Sequence, residues 1–304
     1  AYITTSSRIL LFQTTESSCT GQVVSPQWVL TAAHCVVGEN GRGEMNRTPL
    51  PAIKFSVILG RVQLRQSLLD GTQFRVDRVV VSPFWNPQQL VGDAALLHLK
   101  HSAAGTASAV PLASEMPTDT SSIVAFGYGF INETWSPAAV RSRDINNYRG
   151  VNSNYLMATK ANSYSLNQSC SSPETVCFDY QGKSMIRNGD SGGPWVTGRH
   201  GTALFALTSY SEYQVRGNQF VFPRVMATNL VASPMRTWIM QTAGLYQFQP
   251  QTIYQSDQQS LAWLTRTDGP AIPIRHRYEL ECLRKKYPVR TISKFILTEL
   301  RRDE

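Results

Sequence analysis

Short apolar segments alternate with turn-forming residues along most of the chain. The segments are rich in Val, Ile, Leu and Phe, and Gly, Pro, Ser and Asn separate one from the next. This pattern predicts strands at residues 8–13, 21–30, 54–60, 73–81, 94–99, 122–128, 194–196, 204–209 and 219–225. A helical period is first sustained at residues 233–241, so the pattern favours an antiparallel sandwich or barrel.

The composition changes after residue 243. The following stretch is rich in glutamine, and an Asp-Gly-Pro sequence at 268–270 predicts a turn. Residues 276–286 and 290–302 have the pattern of two charged amphipathic helices. We therefore place a domain boundary near residue 244 and treat 244–304 as a partly helical C-terminal extension.

Composition excludes several classes of protein. The 304 residues are 42% hydrophobic, enough for a sizeable core, so a wholly disordered chain is excluded. No apolar run reaches the roughly 18 residues that a membrane-spanning helix needs. The net charge of +8 comes mostly from scattered Lys and Arg, so it does not predict nucleic-acid binding. The one basic cluster is Arg284, Lys285 and Lys286 in the extension.

Three segments carry candidate catalytic chemistry when they are taken together. His34 ends the sequence Trp-Val-Leu-Thr-Ala-Ala-His, Asp93 lies in Gly-Asp-Ala-Ala-Leu-Leu, and Ser191 lies in Gly-Asp-Ser-Gly-Gly-Pro. A single His after an apolar strand, or an Asp at a turn, is more often structural. Glycines on both sides of a serine suit a backbone that brings N–H groups close to a substrate carbonyl.

These segments, in this order, resemble the chymotrypsin/trypsin family of serine endopeptidases over roughly residues 8–243. Residues 124–129 (Val-Ala-Phe-Gly-Tyr-Gly) and 236–239 (Arg-Thr-Trp-Ile) are similar to two further segments of that family. The resemblance implies an all-β, chymotrypsin-like fold of two antiparallel six-stranded β-barrels. The implied domain is 1–243, with barrels at about 1–110 and 111–232 and a closing helix at 233–243.

The resemblance also implies a role for each residue of the three segments. Ser191 would attack the scissile carbonyl, His34 would accept and return its proton, and Asp93 would orient the imidazole. The backbone N–H groups of Gly189 and Ser191 would form the oxyanion hole. The expected function is a secreted serine endopeptidase acting on protein or peptide substrates through an acyl-enzyme.

The five cysteines fit the same family. The resemblance implies one disulfide between Cys19 and Cys35 and a second between Cys170 and Cys177, which leaves Cys282 over in the extension. Two disulfides imply an oxidising, extracytoplasmic compartment. No metal site and no cofactor are expected, because the His residues show no ligand spacing and no phosphate-binding glycine loop occurs.

The specificity pocket departs from the trypsin pattern. By the resemblance, its base is Met185 and its walls include Ser209, Ser211 and Phe220. A methionine at the base cannot select Arg or Lys. We therefore expect a shallow apolar pocket that accepts small or medium uncharged side chains. Arg187 stands where the family usually has a cysteine that staples the pocket.

Activation departs from the family as well. Family members pair a new N-terminal ammonium with the acid before the nucleophile, which is Asp190 here, but the usual Ile/Val-Val-Gly-Gly start is absent. Only about seven residues precede the first predicted strand. Three alternatives remain open: the Ala1 ammonium serves, the chain was trimmed, or another cation pairs with Asp190.

Two questions stay open at this point. The extension could pack on the protease domain, dock a partner or anionic surface, or cover the cleft. An alternative to the enzyme is a catalytically silent protease-fold protein that binds anionic partners, which the missing N-terminal motif and Arg187 favour and the intact His34, Asp93 and Ser191 oppose.

Overall fold

A computed structural model of the chain describes residues 1–9, 12–40, 44–64, 72–118, 123–160, 162–197 and 203–245. The sequence-based expectations for the two tail helices, Cys282 and the basic cluster 284–286 lie outside these residues. Within them, no helix has the length and apolar character needed to cross a membrane.

The first half of the described chain forms one large antiparallel sheet and a small one. Its strands, in chain order, are β1 Tyr2–Ile9, β2 Phe12–Thr20, β3 Gln22–Ser25, β4 Trp28–Thr31, β5 Val37–Glu39, β6 Met45–Pro49, β7 Phe55–Ile58, β8 Gln73–Val81 and β9 Ala95–Leu99. The large sheet has the order β2-β1-β7-β8-β9-β4-β3, and β5 pairs with β6. Strand β8 shows why these residues form a sheet: Phe74 and Val76 are buried while Gln73 and Arg75 are exposed, the alternation of a strand with one face on a core.

The second half repeats this arrangement. Its strands are β10 Ile123–Gly127, β11 Phe130–Trp135, β12 Tyr148–Asn152, β13 Met157–Ala158, β14 Tyr164–Leu166, β15 Thr175–Tyr180, β16 Pro194–Thr197, β17 Ala203–Arg216 and β18 Gln219–Asn229. The large sheet has the order β13-β10-β16-β17-β18-β15-β14, and β11 pairs with β12. The all-β class with two barrel-like antiparallel sheets is confirmed. Each large sheet has seven strands among the described residues.

Two predicted strands in the first half are wrong, because each covers parts of two antiparallel strands. The predicted strand 8–13 covers the end of β1 and the start of β2, where Arg8 pairs with Gln13. The predicted strand 21–30 is a second hairpin, β3–β4, with its turn at Pro26 because proline cannot donate to a sheet ladder.

The first strand also starts earlier than expected. Strand β1 begins at Tyr2, so the expectation of about seven residues before the first strand is wrong. Its Thr- and Ser-rich sequence lacks the apolar alternation of a strand, but pairing with β2 on one side and β7 on the other satisfies its backbone.

Two helices complete the fold. The expected helix is present as α2, Ser233–Ala243. A short helix, α1 Pro137–Ser142, was not predicted; Ser136 caps it by accepting the N–H of Ala139 at 3.1 Å, and proline follows at the first helical position. Ser-Pro was the available signal, but six residues are too few to show a helical period.

Three buried clusters form the core of the described residues. One lies inside the first sheet, around Val57 and Leu97, and another lies inside the second, where Phe178 stacks on Trp195 with ring centroids 3.8 Å apart. The third joins the halves, since it contains Leu96 of β9 and Leu207 of β17 together with the buried face of α2. The loop that follows β4, the residues just before β9 and the loop that follows β15 meet at the boundary between the sheets.

Candidate functional site

His34 and Asp93 meet because the strands next to them pair. His34 lies in a 3₁₀ turn directly after β4, and Asp93 lies two residues before β9. Strands β4 and β9 are antiparallel neighbours, with Thr31 opposite Ala95. His34 Nδ1 lies 2.7 Å from Asp93 Oδ2, and the His34 backbone N–H donates to Asp93 Oδ1 at 2.9 Å. Two hydrogen bonds fix both the position and the plane of the imidazole.

Asp93 is fully buried and is further supported from the second sheet. The Ser209 hydroxyl donates to Asp93 Oδ2 at 2.5 Å, and the Thr228 hydroxyl donates to the Asp93 carbonyl at 2.8 Å. Sequence reasoning expected Ser209 in the specificity pocket and missed Thr228. The structure directs the Ser209 side chain to Asp93, a contact across 116 residues of sequence for which the local sequence holds no signal.

Burial and mutual attraction set the pKa values of this pair. Burial of Asp93 by itself raises its pKa, but the charge and hydrogen bond of His34, followed by the bonds from Ser209 and the His34 backbone, lower the pKa overall. Burial of His34 by itself lowers its pKa, but the charge and hydrogen bond of Asp93 raise the pKa overall. Each member of the pair therefore stabilises the charged form of the other relative to the isolated group.

Ser191 and His34 line one cavity of about 380 Å³. Its lining residues are Ser17, Ser18, Cys19, His34, Cys35, Phe130, Tyr148, Asn152, Asn188, Gly189 and Ser191. In the described residues the Ser191 hydroxyl and the imidazole share the cavity without a hydrogen bond between them. Such contacts are often long before substrate binds.

Thr20 holds the Ser191 loop against the first sheet. The Thr20 N–H donates to the Ser191 carbonyl at 2.9 Å, and the Thr20 hydroxyl donates to the Gly189 carbonyl at 2.9 Å. Gly189 and Gly192 have φ of +89° and +74°, values that favour glycine. Among the described groups, none accepts a hydrogen bond from the N–H of Gly189 or Ser191, so both donors remain available to a ligand.

The side chain of Asp190, within this loop, is buried and is bonded to backbone N–H groups. Its carboxylate accepts the N–H of Gly129 at 2.7 Å and the N–H of Arg187 at 2.8 Å. A Cβ on Gly127 or Gly129 would overlap that carboxylate, which explains both glycines of the Phe-Gly-Tyr-Gly segment. Burial is the largest cause that raises the pKa of Asp190, to about 6.

The Ala1 alternative for Asp190 does not hold in this structure. The Ala1 ammonium donates to the carbonyl of Gly21 at 2.7 Å, on the first sheet. Within the described part of the chain, no cation forms a salt bridge with Asp190. Its partners are the two backbone N–H groups.

The expected pocket residues do not line the cavity beside Ser191. Phe220 is buried between Trp135 and Tyr213, with ring centroids 5.4 and 5.3 Å away. Strands β17 and β18 are paired as far as Arg216 and Gln219, so Phe220 lies within a hairpin formed by these two strands. Met185 and Ser211 are partly buried outside the cavity lining.

Both expected disulfides are present. Cys19 is bonded to Cys35 next to the cavity, and Cys170 is bonded to Cys177 at the far end of β15. Across the described residues, the one cluster with possible metal-ligand atoms is Cys19, His34 and Cys35. Its two sulfurs are joined to each other and so cannot act as thiolate ligands.

Comparisons with known proteins agree with this arrangement. The family model described as Trypsin matches residues 4–231, a span that includes His34, Asp93 and Ser191. Coagulation factor IX of Cavia porcellus is 26% identical over 228 residues, which cover 72% of this chain and 73% of that protein. Hypodermin-B of Hypoderma lineatum is 27% identical over 231 residues, covering 74% and 77%. Granzyme M of Homo sapiens is 27% identical over 228 residues, covering 74% and 79%. With a family match along most of its length and the matching fold, the chain belongs to the trypsin family of serine proteases.

Proposed function

We propose that the protein is an active serine endopeptidase whose catalytic residues are His34, Asp93 and Ser191. The observation that carries this proposal is the buried His34–Asp93 pair, which opens onto the same cavity as Ser191. A serine hydroxyl is a poor nucleophile at neutral pH unless a base removes its proton. His34 is the base, and Asp93 stabilises the imidazolium that results.

The charge that develops on the substrate carbonyl oxygen needs donors. The N–H groups of Gly189 and Ser191 serve as the oxyanion hole, since both border the cavity and neither donates to another described residue. The reaction then runs in two stages. Ser191 forms an acyl-enzyme as His34 protonates the leaving amine, and water, deprotonated by His34, hydrolyses the ester.

Substrate preference follows from the aromatic group beside the expected pocket. Phe220 packs on Trp135 and Tyr213 outside the cavity beside Ser191, and its place as a pocket wall is carried over from the family resemblance alone. Small or medium uncharged side chains fit this site best, and Met185 offers no charge to attract Arg or Lys. Cleavage of a peptide library tests this preference. A dominant Arg or Lys preference would contradict it, and Phe220→Gly should extend cleavage to larger apolar residues.

The compartment and the domain division complete the proposal. Two disulfides in a trypsin-family chain favour secretion or another extracytoplasmic location. Residues 1–243 act as the protease domain, with α2 as its closing helix. Residues 244–304 are an extension whose deletion should leave the peptidase rate unchanged if it packs on the domain, and raise the rate if it covers the cleft.

A second candidate is a silent protease-fold binding protein. The buried Asp190, which has backbone partners and no salt bridge among the described residues, favours it, because a collapsed segment at 187–190 would remove the oxyanion hole. Covalent labelling by a fluorophosphonate probe decides between the two. The enzyme predicts a labelled Ser191 in the wild-type chain, no label in Ser191→Ala, and slow labelling in Asp93→Asn. A wild-type chain that labels no better than Ser191→Ala would contradict the enzyme and favour the silent protein that binds anionic partners.

A further inference from the structure

An ion pair with a buried carboxylate lies immediately before the nucleophile loop. Arg187 Nη1 is 3.5 Å from Glu133 Oε2; the Glu133 side chain is 2% exposed and the Arg187 side chain 26%. On its other side, the guanidinium carbon of Arg187 lies 5.3 Å from the centroid of the Phe222 ring. By contrast, the ion pairs of Arg224 with Asp179 and Glu212 involve side chains that are 31–44% exposed.

The backbone around the pair joins the same two segments. The Phe130 N–H donates to the Asn188 carbonyl at 2.7 Å. The Asp190 carboxylate bridges the N–H groups of Gly129 and Arg187. Asn188 also hydrogen-bonds to Glu133 through its backbone and its side chain. Residues 187–190 are therefore attached to residues 129–133 by both backbone and side-chain contacts, and the Glu133–Arg187 ion pair is one of them.

The attachment matters because of what the segment carries. Gly189 has no side chain and a φ of +89°, so nothing in its own chemistry restricts its N–H direction. An oxyanion donor must nevertheless point at one place in space, and a misplacement of about 1 Å costs on the order of 100-fold in rate. The ion pair of Arg187, two residues before Gly189, with the buried Glu133 carboxylate restricts the segment, since the Glu133 charge would lose its partner if the segment moved.

We propose that Glu133, acting through Arg187, is a positioning residue that holds the Gly189 N–H in place for the reaction of Ser191. The proposal rests on the proposed function. Glu133 touches neither the substrate cavity nor the reacting atoms. Its effect is on the rate of the acylation step and leaves the binding of substrate nearly unchanged.

The test compares Glu133→Gln, which keeps the size and removes the charge, with Glu212→Gln. Glu212 is a matched control because it also pairs with an arginine, Arg224, at 3.6 Å but is 44% exposed. The first readout is the rate of labelling by a fluorophosphonate probe, well below the melting temperature of each variant. The second is the Kd of a peptide substrate, measured with Ser191→Ala in each background.

We expect Glu133→Gln to lower the labelling rate at least about tenfold while the peptide Kd changes less than about twofold. Glu212→Gln should change neither. Arg187→Gln should also slow labelling, and the double variant Glu133→Gln/Arg187→Gln should be no slower than the slower single variant, because both substitutions remove one interaction. If Arg187→Gln does not fold, Glu133→Gln and its control still decide the matter.

Three results would overturn the proposal. The first is an unchanged labelling rate in Glu133→Gln. The second is a loss of rate matched by an equal loss of peptide affinity, and the third is a double variant whose effect is the product of the single effects. Failure of the proposed function is distinguishable, because then the wild-type chain itself would not be labelled, which would overturn both proposals together.

Discussion

The Gly129→Ala variant tests how much the contact between Gly129 and the buried Asp190 carboxylate contributes to stability. A Cβ at this position would overlap the Asp190 carboxylate, and its three nearest atoms all belong to that carboxylate. The Gly129→Ala variant must therefore displace the carboxylate from the N–H groups of Gly129 and Arg187, which it accepts at 2.7 and 2.8 Å.

The size of the effect follows from those two hydrogen bonds. With its pKa near 6, Asp190 is ionised at pH 7.5, and a hydrogen bond to a charged group contributes about 1.5–3 kcal/mol. Losing both lowers the free energy of unfolding by about 3–6 kcal/mol. For a domain of this size each kcal/mol shifts the melting temperature by about 2–4 °C, so we expect a fall of at least about 6 °C.

A double-mutant cycle shows whether Asp190 is the cause. In an Asp190→Ala background the three atoms that Gly129→Ala would meet are gone. The cost of Gly129→Ala should then fall below about 1 kcal/mol. Gly193→Ala is the matched control, because its Cβ would lie 2.5 Å from the Phe126 carbonyl and 2.7 Å from the Asp190 carbonyl, both of them main-chain atoms.

The assay is denaturant unfolding at pH 7.5 for the single and double variants. Gly193→Ala should cost the same in both backgrounds to within about 0.5 kcal/mol. If Gly129→Ala costs as much in the Asp190→Ala background as in the wild type, the overlap with Asp190 is not the cause and the reasoning fails.

Three further predictions concern the catalytic pair and its surroundings. In the pH profile of kcat/KM, the acid limb should have its midpoint above pH 6.5, because Asp93 raises the pKa of His34 and a protonated His34 cannot accept a proton. A midpoint below pH 6.5, or one that Asp93→Asn does not lower, would contradict this. Ser209→Ala should cost about 1–3 kcal/mol in urea unfolding at pH 7. Since the pKa of Asp93 is lowered in the folded state, that cost should be complete above pH 3.8 and disappear as the pH falls through the lower folded value; a cost that persists in acid would refute the assignment. Replacing Cys19 and Cys35 together by alanine should lower the free energy of unfolding by about 3 kcal/mol, given their separation of 16 residues; an unchanged free energy of unfolding would contradict this.

The sequence by itself determined the fold class and pointed to the residues that we propose for the reaction. Seven of the nine predicted segments coincide with one of the eighteen strands described, as at β8, whose bounds Gln73–Val81 match the prediction. The His34, Asp93 and Ser191 segments are local motifs, so their identity could be recognised without knowing how they meet. The pattern failed at the β1–β2 hairpin, because a Thr- and Ser-rich strand that is stabilised from both sides has no apolar period to detect.

Only the tertiary structure decided what surrounds those residues. In the folded chain Ser209 supports Asp93, Phe220 packs on Trp135, and Glu133 is paired with Arg187. Each of these contacts joins segments that are tens of residues apart in the sequence. Such contacts leave no periodicity in the sequence, because the partners are brought together by sheet pairing and by the core between the two sheets. The residue types of the site can therefore be recognised in short local motifs. The surroundings that set their pKa values and geometry exist only in the folded molecule.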